Sequence, residues 1–305
     1  MNKILEINEE RLILKAHSDS VTAIAFTPDG KTVISGSRDN TIKAWDLKTG
    51  EVKLTFEGHN DWVNAIAVTP DGKTVISGSD DKTIKIWNLE TGEVKFTLTG
   101  HSRWVNAIAI APDGKTLISS SRDKTIKAWD LETGEMKLTF KGHSRWVNAI
   151  AVTPDGKTLI SGSNDRTIKT WNLETSEVES TLTGHSDYVN AIAVTPDGQT
   201  VISGSDDNTI KIWNLETGRK KFTFKGHSDW VNAIAIAPDG KTLISGSDDN
   251  TVKIWDLTTR NKIAIFTGES PILAVASDGV TIVAGESSGR LHLLRLQERV
   301  VVALT

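Results

Sequence analysis

Four residue types recur along this chain in an arrangement that could do hydrolytic chemistry. Histidine stands at His17, His59, His101, His143, His185 and His227, and serine follows at Ser35, Ser77, Ser119, Ser161, Ser203 and Ser245. Aspartate comes next, at Asp39, Asp81, Asp123, Asp165, Asp207 and Asp249, then tryptophan at Trp45, Trp87, Trp129, Trp171, Trp213 and Trp255. Serine, histidine and aspartate can form a nucleophilic triad, which is recognised by geometry and not by chain order. Six copies of one catalytic site are implausible, however, and no oxyanion-hole motif accompanies any of these serines. Buried tryptophan and histidine need hydrogen-bond partners in any case, because an unpaired buried polar group costs about 1–3 kcal/mol. A structural role is therefore expected, and no enzyme activity. The one further histidine is His292, so none is left to build a metal site. No Gly-rich phosphate loop is present either, and no cofactor is expected.

The elements that hold these residues repeat with them. Successive histidines, and successive tryptophans, are 42 residues apart, a period that marks a repeat architecture. One such unit cannot bury its own apolar face and must stack on its neighbours. Residues 1–305 therefore read as a single domain, with repeats at 17–58, 59–100, 101–142, 143–184, 185–226, 227–268 and a degenerate 269–297. Within a unit the period is two. Val63–Val68 reads as a strand that is small and apolar on both faces, as a strand covered on both sides should be. Thr69-Pro70-Asp71-Gly72 is a turn, Thr74–Ser79 a second strand, Thr83–Asn88 a third and Val94–Leu98 an alternating, half-exposed fourth. Four antiparallel strands, seven times over and without a helix, give an all-β, seven-bladed β-propeller.

Gly58-His59 followed by Trp87-Asn88, and Gly100-His101 followed by Trp129-Asp130, resemble the Gly-His and Trp-Asp signature of the WD40 repeat family. The resemblance covers about residues 10–296, and the near-identity of the repeats resembles arrays of the bacterial type. It implies that each histidine, serine, aspartate and tryptophan form a hydrogen-bonded tetrad, tryptophan to serine, serine to histidine and histidine to aspartate. It also implies an offset between repeat and blade, so that the termini close the ring. Either Arg11–Lys15 or Val300–Ala303 would complete the seventh blade. That blade has Glu269, Ala284, Ser288 and Leu294 at the tetrad positions, so packing alone is expected to hold it.

Once the tetrads are set aside, the departures between units carry what is left for function. Trp62, Trp104, Trp146, Tyr188 and Trp230 share one position, three residues after the histidine. The resemblance places that position on the top face, around the central channel. Two roles compete there: covering the seams between blades, or presenting aromatic anchors to a partner. Beside them stand Arg103 and Arg145, and just before the loop aspartates stand Arg38, Asp80, Arg122, Asp206 and Asp248. Arginine is expected to cluster on the third and fourth blades, and acid on the second, fifth and sixth. A face divided in this way orients a partner and speeds its encounter. Residues 59–100 and 185–226 are identical at 34 of 42 positions, so some of this variation is drift after duplication.

Composition sets the outer limits. A net charge of -4 argues against a general nucleic-acid binder, which would show a basic footprint. The absence of cysteine excludes disulfides and cysteine-ligated zinc. No segment approaches a membrane span or a signal peptide. The expectation is a monomeric, cytoplasmic, non-catalytic scaffold that binds a protein or peptide on its top face. The alternatives are a ligand-sensing module of a larger ATPase- or kinase-type signalling protein, and phosphate or nucleic-acid binding through the Arg103, Arg122 and Arg145 sector.

Overall fold

The computed structural model describes residues 2–301, with side chains from 12 to 295. Seven antiparallel sheets of four strands each stand around an axis, with no helix among the described residues. Blade 2 shows the plan, with strands at Val63–Val68, Thr74–Ser79, Ile84–Asn88 and Val94–Leu98. The first strands of neighbouring blades pack side by side around the axis, which is why their side chains are small and apolar. The hairpin that follows is fixed locally. Thr69 Oγ1 donates to Asp71 Oδ1 at 2.6 Å, and Gly72 takes the φ of +69° that closes the turn. The outermost strand is the most exposed, with only Leu98 buried.

The core is divided among the seams. Blades 1 and 2 share a cluster in which Ile34, Ile42, Ala44 and Phe56 meet Val63, Val75 and Trp87. Each fully buried aliphatic or aromatic side chain of this kind contributes about 1.5–3 kcal/mol. Equivalent clusters fill the other seams, including that between blades 7 and 1, where Val283 and Leu291 meet Val21, Val33 and Trp45. The approach is close. A Cβ on Gly78 would lie 2.6 Å from the Cγ1 of Val105 in the next blade. Polar bonds also run round the axis: Asn64, Asn106, Asn148, Asn190 and Asn232 each donate through Nδ2 to a backbone carbonyl of the following blade.

Closure of the ring falls to the N-terminal strand. In blade 7, Asn2–Lys15 pairs with Arg290–Val301, with Leu12 opposite Leu293 and Leu14 opposite Leu291. Arg11–Lys15 thus supplies the fourth strand. Val300 and Val301 do not compete for that place; they prolong the third strand, opposite Lys3 and Asn2. Ala303 lies outside the described residues. The backbone N–H groups of Ala16 and His17 donate to Gly289 O at 3.1 and 3.0 Å, tying blade 1 to blade 7.

The expectation that packing alone holds blade 7 is corrected. Glu286 is fully buried there and forms a polar centre of its own. It accepts from the backbone N–H of Glu269 at 2.8 Å and from Ser288 Oγ at 2.6 Å. It also forms an ion pair with His292, Nε2 to Oε1, at 2.9 Å. Burial by itself would raise the pKa of this carboxyl, but His292 and the donated hydrogen bonds hold it down at about 2. Neither His292 ring nitrogen is aligned for a hydrogen bond, so this contact is one of proximity, Nε2 against Oε1.

Candidate functional site: the top of the channel

The six tetrads exist as hydrogen-bonded chains. In blade 2, Trp87 Nε1 donates to Ser77 Oγ at 2.8 Å, and Ser77 Oγ lies 2.7 Å from His59 Nε2. His59 Nδ1 lies 2.7 Å from Asp81 Oδ2. With the carboxylate accepting, Nδ1–H faces Asp81 and Nε2 faces the serine hydroxyl. The aspartate then clamps its loop, accepting from Asn60 N–H and from both Thr83 N–H and Thr83 Oγ1. Blades 1, 3, 4, 5 and 6 repeat the chain through the same atoms. The serines are fully buried, and each Oγ is occupied by an indole N–H. No substrate can reach such a nucleophile, so the triad-like spacing is fully used by the fold. In blades 5 and 6 a lysine joins: Lys211 and Lys253 reach Asp207 and Asp249 at 2.9 and 2.8 Å. Burial, together with the charges of Lys253 and Lys262, draws the pKa of His227 down to about 4 despite Asp249.

The two positions left for function on sequence grounds are bonded to each other within each blade. The backbone N–H of Asp80 donates to Trp62 O, Arg122 to Trp104 O, Asn164 to Trp146 O, Asp206 to Tyr188 O and Asp248 to Trp230 O, all at 2.9–3.0 Å. Aromatic and charged positions are thus held side by side in each blade. Across blades 1 to 4 they form one stack. The Arg38 guanidinium lies 4.3 Å from the centre of the Trp62 ring, and Trp62 lies 6.2 Å from Trp104. The Arg122 guanidinium is sandwiched at 3.8 Å from Trp104 and 4.1 Å from Trp146. Such contacts contribute about 0.5–2 kcal/mol each. Exposure divides these rings by residue. Trp62 and Trp104 are half-buried in the stack, whereas Trp146 is 37% and Trp230 50% exposed.

The charges divide too, with one correction. Arg103 and Arg145 are exposed and Arg122 is caged between rings, so the arginine sector does lie on blades 3 and 4. Asp80, expected among the surface charges, is instead only 3% exposed. It accepts from Asn64 Nδ2, and burial pushes its pKa up to about 6 in spite of Arg122 and Arg38. Asp206 is also pushed up to about 6, first by burial and then by the negative charges of Asp187, Asp248 and Asp207, against the hydrogen bond from Asn190. Among the described residues no group of histidine and carboxylate side chains could hold a metal ion. Sequence reasoning missed the Glu286–His292 pair, although its signal was present: Glu286 stands where six other units have serine.

Blades, tetrads and repeat length define a WD40-type propeller, and the chain belongs to the WD40 repeat family. Residues 5–172, just over half of it, match the family model described as WDR3 first beta-propeller domain. Residues 176–214 and 218–256 match the WD domain, G-beta repeat. Among curated proteins, the chain is 49% identical over 37 residues to U3 small nucleolar RNA-associated protein 21 of Saccharomyces cerevisiae, 12% of this chain and 4% of that one. It is 38% identical over 47 residues to the Notchless protein homolog of Arabidopsis thaliana, 15% of this chain and 10% of that one. It is 39% identical over 41 residues to a ribosome biogenesis protein BOP1 homolog of Drosophila grimshawi, 13% of this chain and 5% of that one. The matched segments are about one repeat long and span a tenth or less of these relatives. All three relatives are eukaryotic, so the expected bacterial type is not supported.

Proposed function

We propose that the protein is a non-catalytic scaffold that binds a protein or peptide partner across the top of its channel. The observation that carries this is the pairing of exposed aromatics with two sectors of opposite charge on one face. Trp146 with Arg103 and Arg145 stands on one side, and Tyr188 and Trp230 with Asp206 and Asp248 on the other. A half-exposed tryptophan such as Trp230 is the kind of residue that anchors protein interfaces. A peptide with an acidic end and a basic end fits this face in one direction only. Two of the relatives are named for small nucleolar RNA association and ribosome biogenesis, which supports assembly with other macromolecules. Cytoplasmic residence remains part of the proposal, with the nucleolus as the compartment those names add.

The test is affinity purification with mass spectrometry, followed by quantitative binding of the partner recovered. Trp230→Ala combined with Arg103→Glu should weaken capture at least tenfold and leave the melting transition in place. Undiminished capture by a folded double variant overturns the proposal.

A further inference from the structure

The stack at the channel mouth contains its own template for a second site. Between blades 3 and 4, Trp104 and Trp146 hold the planar Arg122 guanidinium at 3.8 and 4.1 Å. One blade further on, Trp146 and Tyr188 occupy the same two positions, but the residue equivalent to Arg122 is Asn164. Its side chain ends short, and a cavity of about 520 Å³ opens, lined by Trp146, Tyr188, Asn164, Ser144, Arg145 and Lys124. That volume lies within the range of small-molecule sites, roughly 300–1,000 Å³.

The lining states what would fill it. Trp146 and Tyr188 both line the cavity and offer aromatic faces to a planar ring. A cationic guest is opposed by Arg145 and Lys124, neither of which has an ion-pair partner among the described residues. Asn164 Oδ1 accepts from Asn148 Nδ2, which leaves the Asn164 amide N–H groups free to donate into the cavity beside the Ser144 hydroxyl. We propose that this cavity binds a single nucleoside monophosphate. The base stacks between Trp146 and Tyr188, its polar edge meets Asn164 and Ser144, and the phosphate rests on Arg145 and Lys124. The ring of a phosphotyrosine would leave Asn164 and Ser144 without partners, which favours a nucleobase. The net charge of -4 disfavours a long tract of phosphates but not one phosphate held by two cations. The cavity shares Trp146, Tyr188 and Arg145 with the proposed partner surface, but nucleotide binding there does not require that a protein partner exist.

The test is calorimetric titration of the full chain with AMP and, separately, UMP at low salt. Saturable one-to-one binding is expected, accompanied by quenching of tryptophan fluorescence. Asn164→Arg would fill the slot from within, as Arg122 fills its neighbour, and should weaken AMP at least tenfold without shifting the melting transition. Tyr188→Ala should cost about tenfold through lost stacking, and Arg145→Glu keeps the test open if the first variant fails to fold. Trp230 lies outside the cavity lining, so Trp230→Ala should leave AMP affinity unchanged while weakening capture of the protein partner. The proposal is overturned by no saturable binding of either nucleotide at millimolar concentration, or by equal affinity in folded Asn164→Arg. Inorganic phosphate or a phosphotyrosine peptide binding as tightly as AMP would overturn it as well.

Discussion

Replacing Asp206 by asparagine should make the protein more stable at neutral pH, an unusual expectation for a buried polar group. The carboxyl is pushed up from 3.8 to about 6, so the folded state binds more proton than the unfolded chain between those values. A raised carboxyl pKa gives stability that is present below about pH 4 and lost as pH rises through about 6. Above that, the folded protein carries an unfavourable charge. At about 1.4 kcal/mol per pKa unit the full penalty would approach 3 kcal/mol, and solvent screening of a half-buried group reduces this to about 1–2 kcal/mol. Asparagine removes the charge yet keeps an Oδ1 to accept the bond that Asn190 Nδ2 makes at 2.5 Å. Urea unfolding of both proteins at pH 7.5 and stepwise down to pH 4 measures the difference. The variant should gain about 1–2 kcal/mol at pH 7.5, with an unchanged denaturant slope, and the gain should vanish towards pH 4. A gain independent of pH, or none at pH 7.5, would refute the reasoning. A carboxylate held against stability is also the kind of group that serves a site.

Other expectations follow from single contacts. Ser77→Ala strips the partner from both Trp87 Nε1 and His59 Nε2 and should cost about 2–4 kcal/mol in urea unfolding, at 1–3 kcal/mol for each stranded group; a loss under about half a kcal/mol would show that water replaces the hydroxyl. His292→Leu leaves Glu286 buried without the partner that faces it at 2.9 Å and should destabilise by about 3 kcal/mol or more. The added change Glu286→Gln should restore part of that loss in a double-mutant cycle, and strict additivity would argue against the pair. The depressed pKa of His227, about 4 against 6.5, means that the unfolded chain binds more proton over that interval. The stability advantage of the protein over His227→Gln should therefore shrink as pH falls from about 6.5 to 4, a comparison that cancels the opposite titration of Asp80 and Asp206, and a pH-independent difference would contradict the burial of a neutral ring.

Most of the architecture could be read from the sequence because the repeat states it six times. Strand positions, the Asp-Gly hairpins and the tetrads all follow from local pattern, and Val63–Val68, Thr74–Ser79 and Val94–Leu98 stand where the period of two places them. What the sequence hid depends on contact between blades. Arg103 and Arg122 read alike as surface cations, yet one is exposed and the other is caged between indole rings. Asp80 and Asp206 read as rim acids, and nothing local shows that Asn64 and Asn190 draw them inward. The cavity at Asn164 is visible only once its neighbours are in place, because a short side chain is informative only against the rings on either side of it.

The seventh blade shows how a function can survive the loss of its residues. In the regular blades the loop aspartate accepts the backbone N–H just after the histidine, as Asp81 does from Asn60 at 3.1 Å. Blade 7 has Ser288 at that position, and its loop is drawn against blade 1 by the bonds from Ala16 and His17 to Gly289 O. Gly289 adopts a φ of +84°, and a Cβ there would collide with the carbonyl oxygen of His17. Glu286, two residues earlier and one methylene longer, takes over the task by accepting Glu269 N–H at 2.8 Å. With the tryptophan gone, the side chain facing it from the adjacent strand is His292. The tetrad has thus been replaced by a different carboxylate and a different histidine doing the same work of fastening a top loop to the blade beneath it.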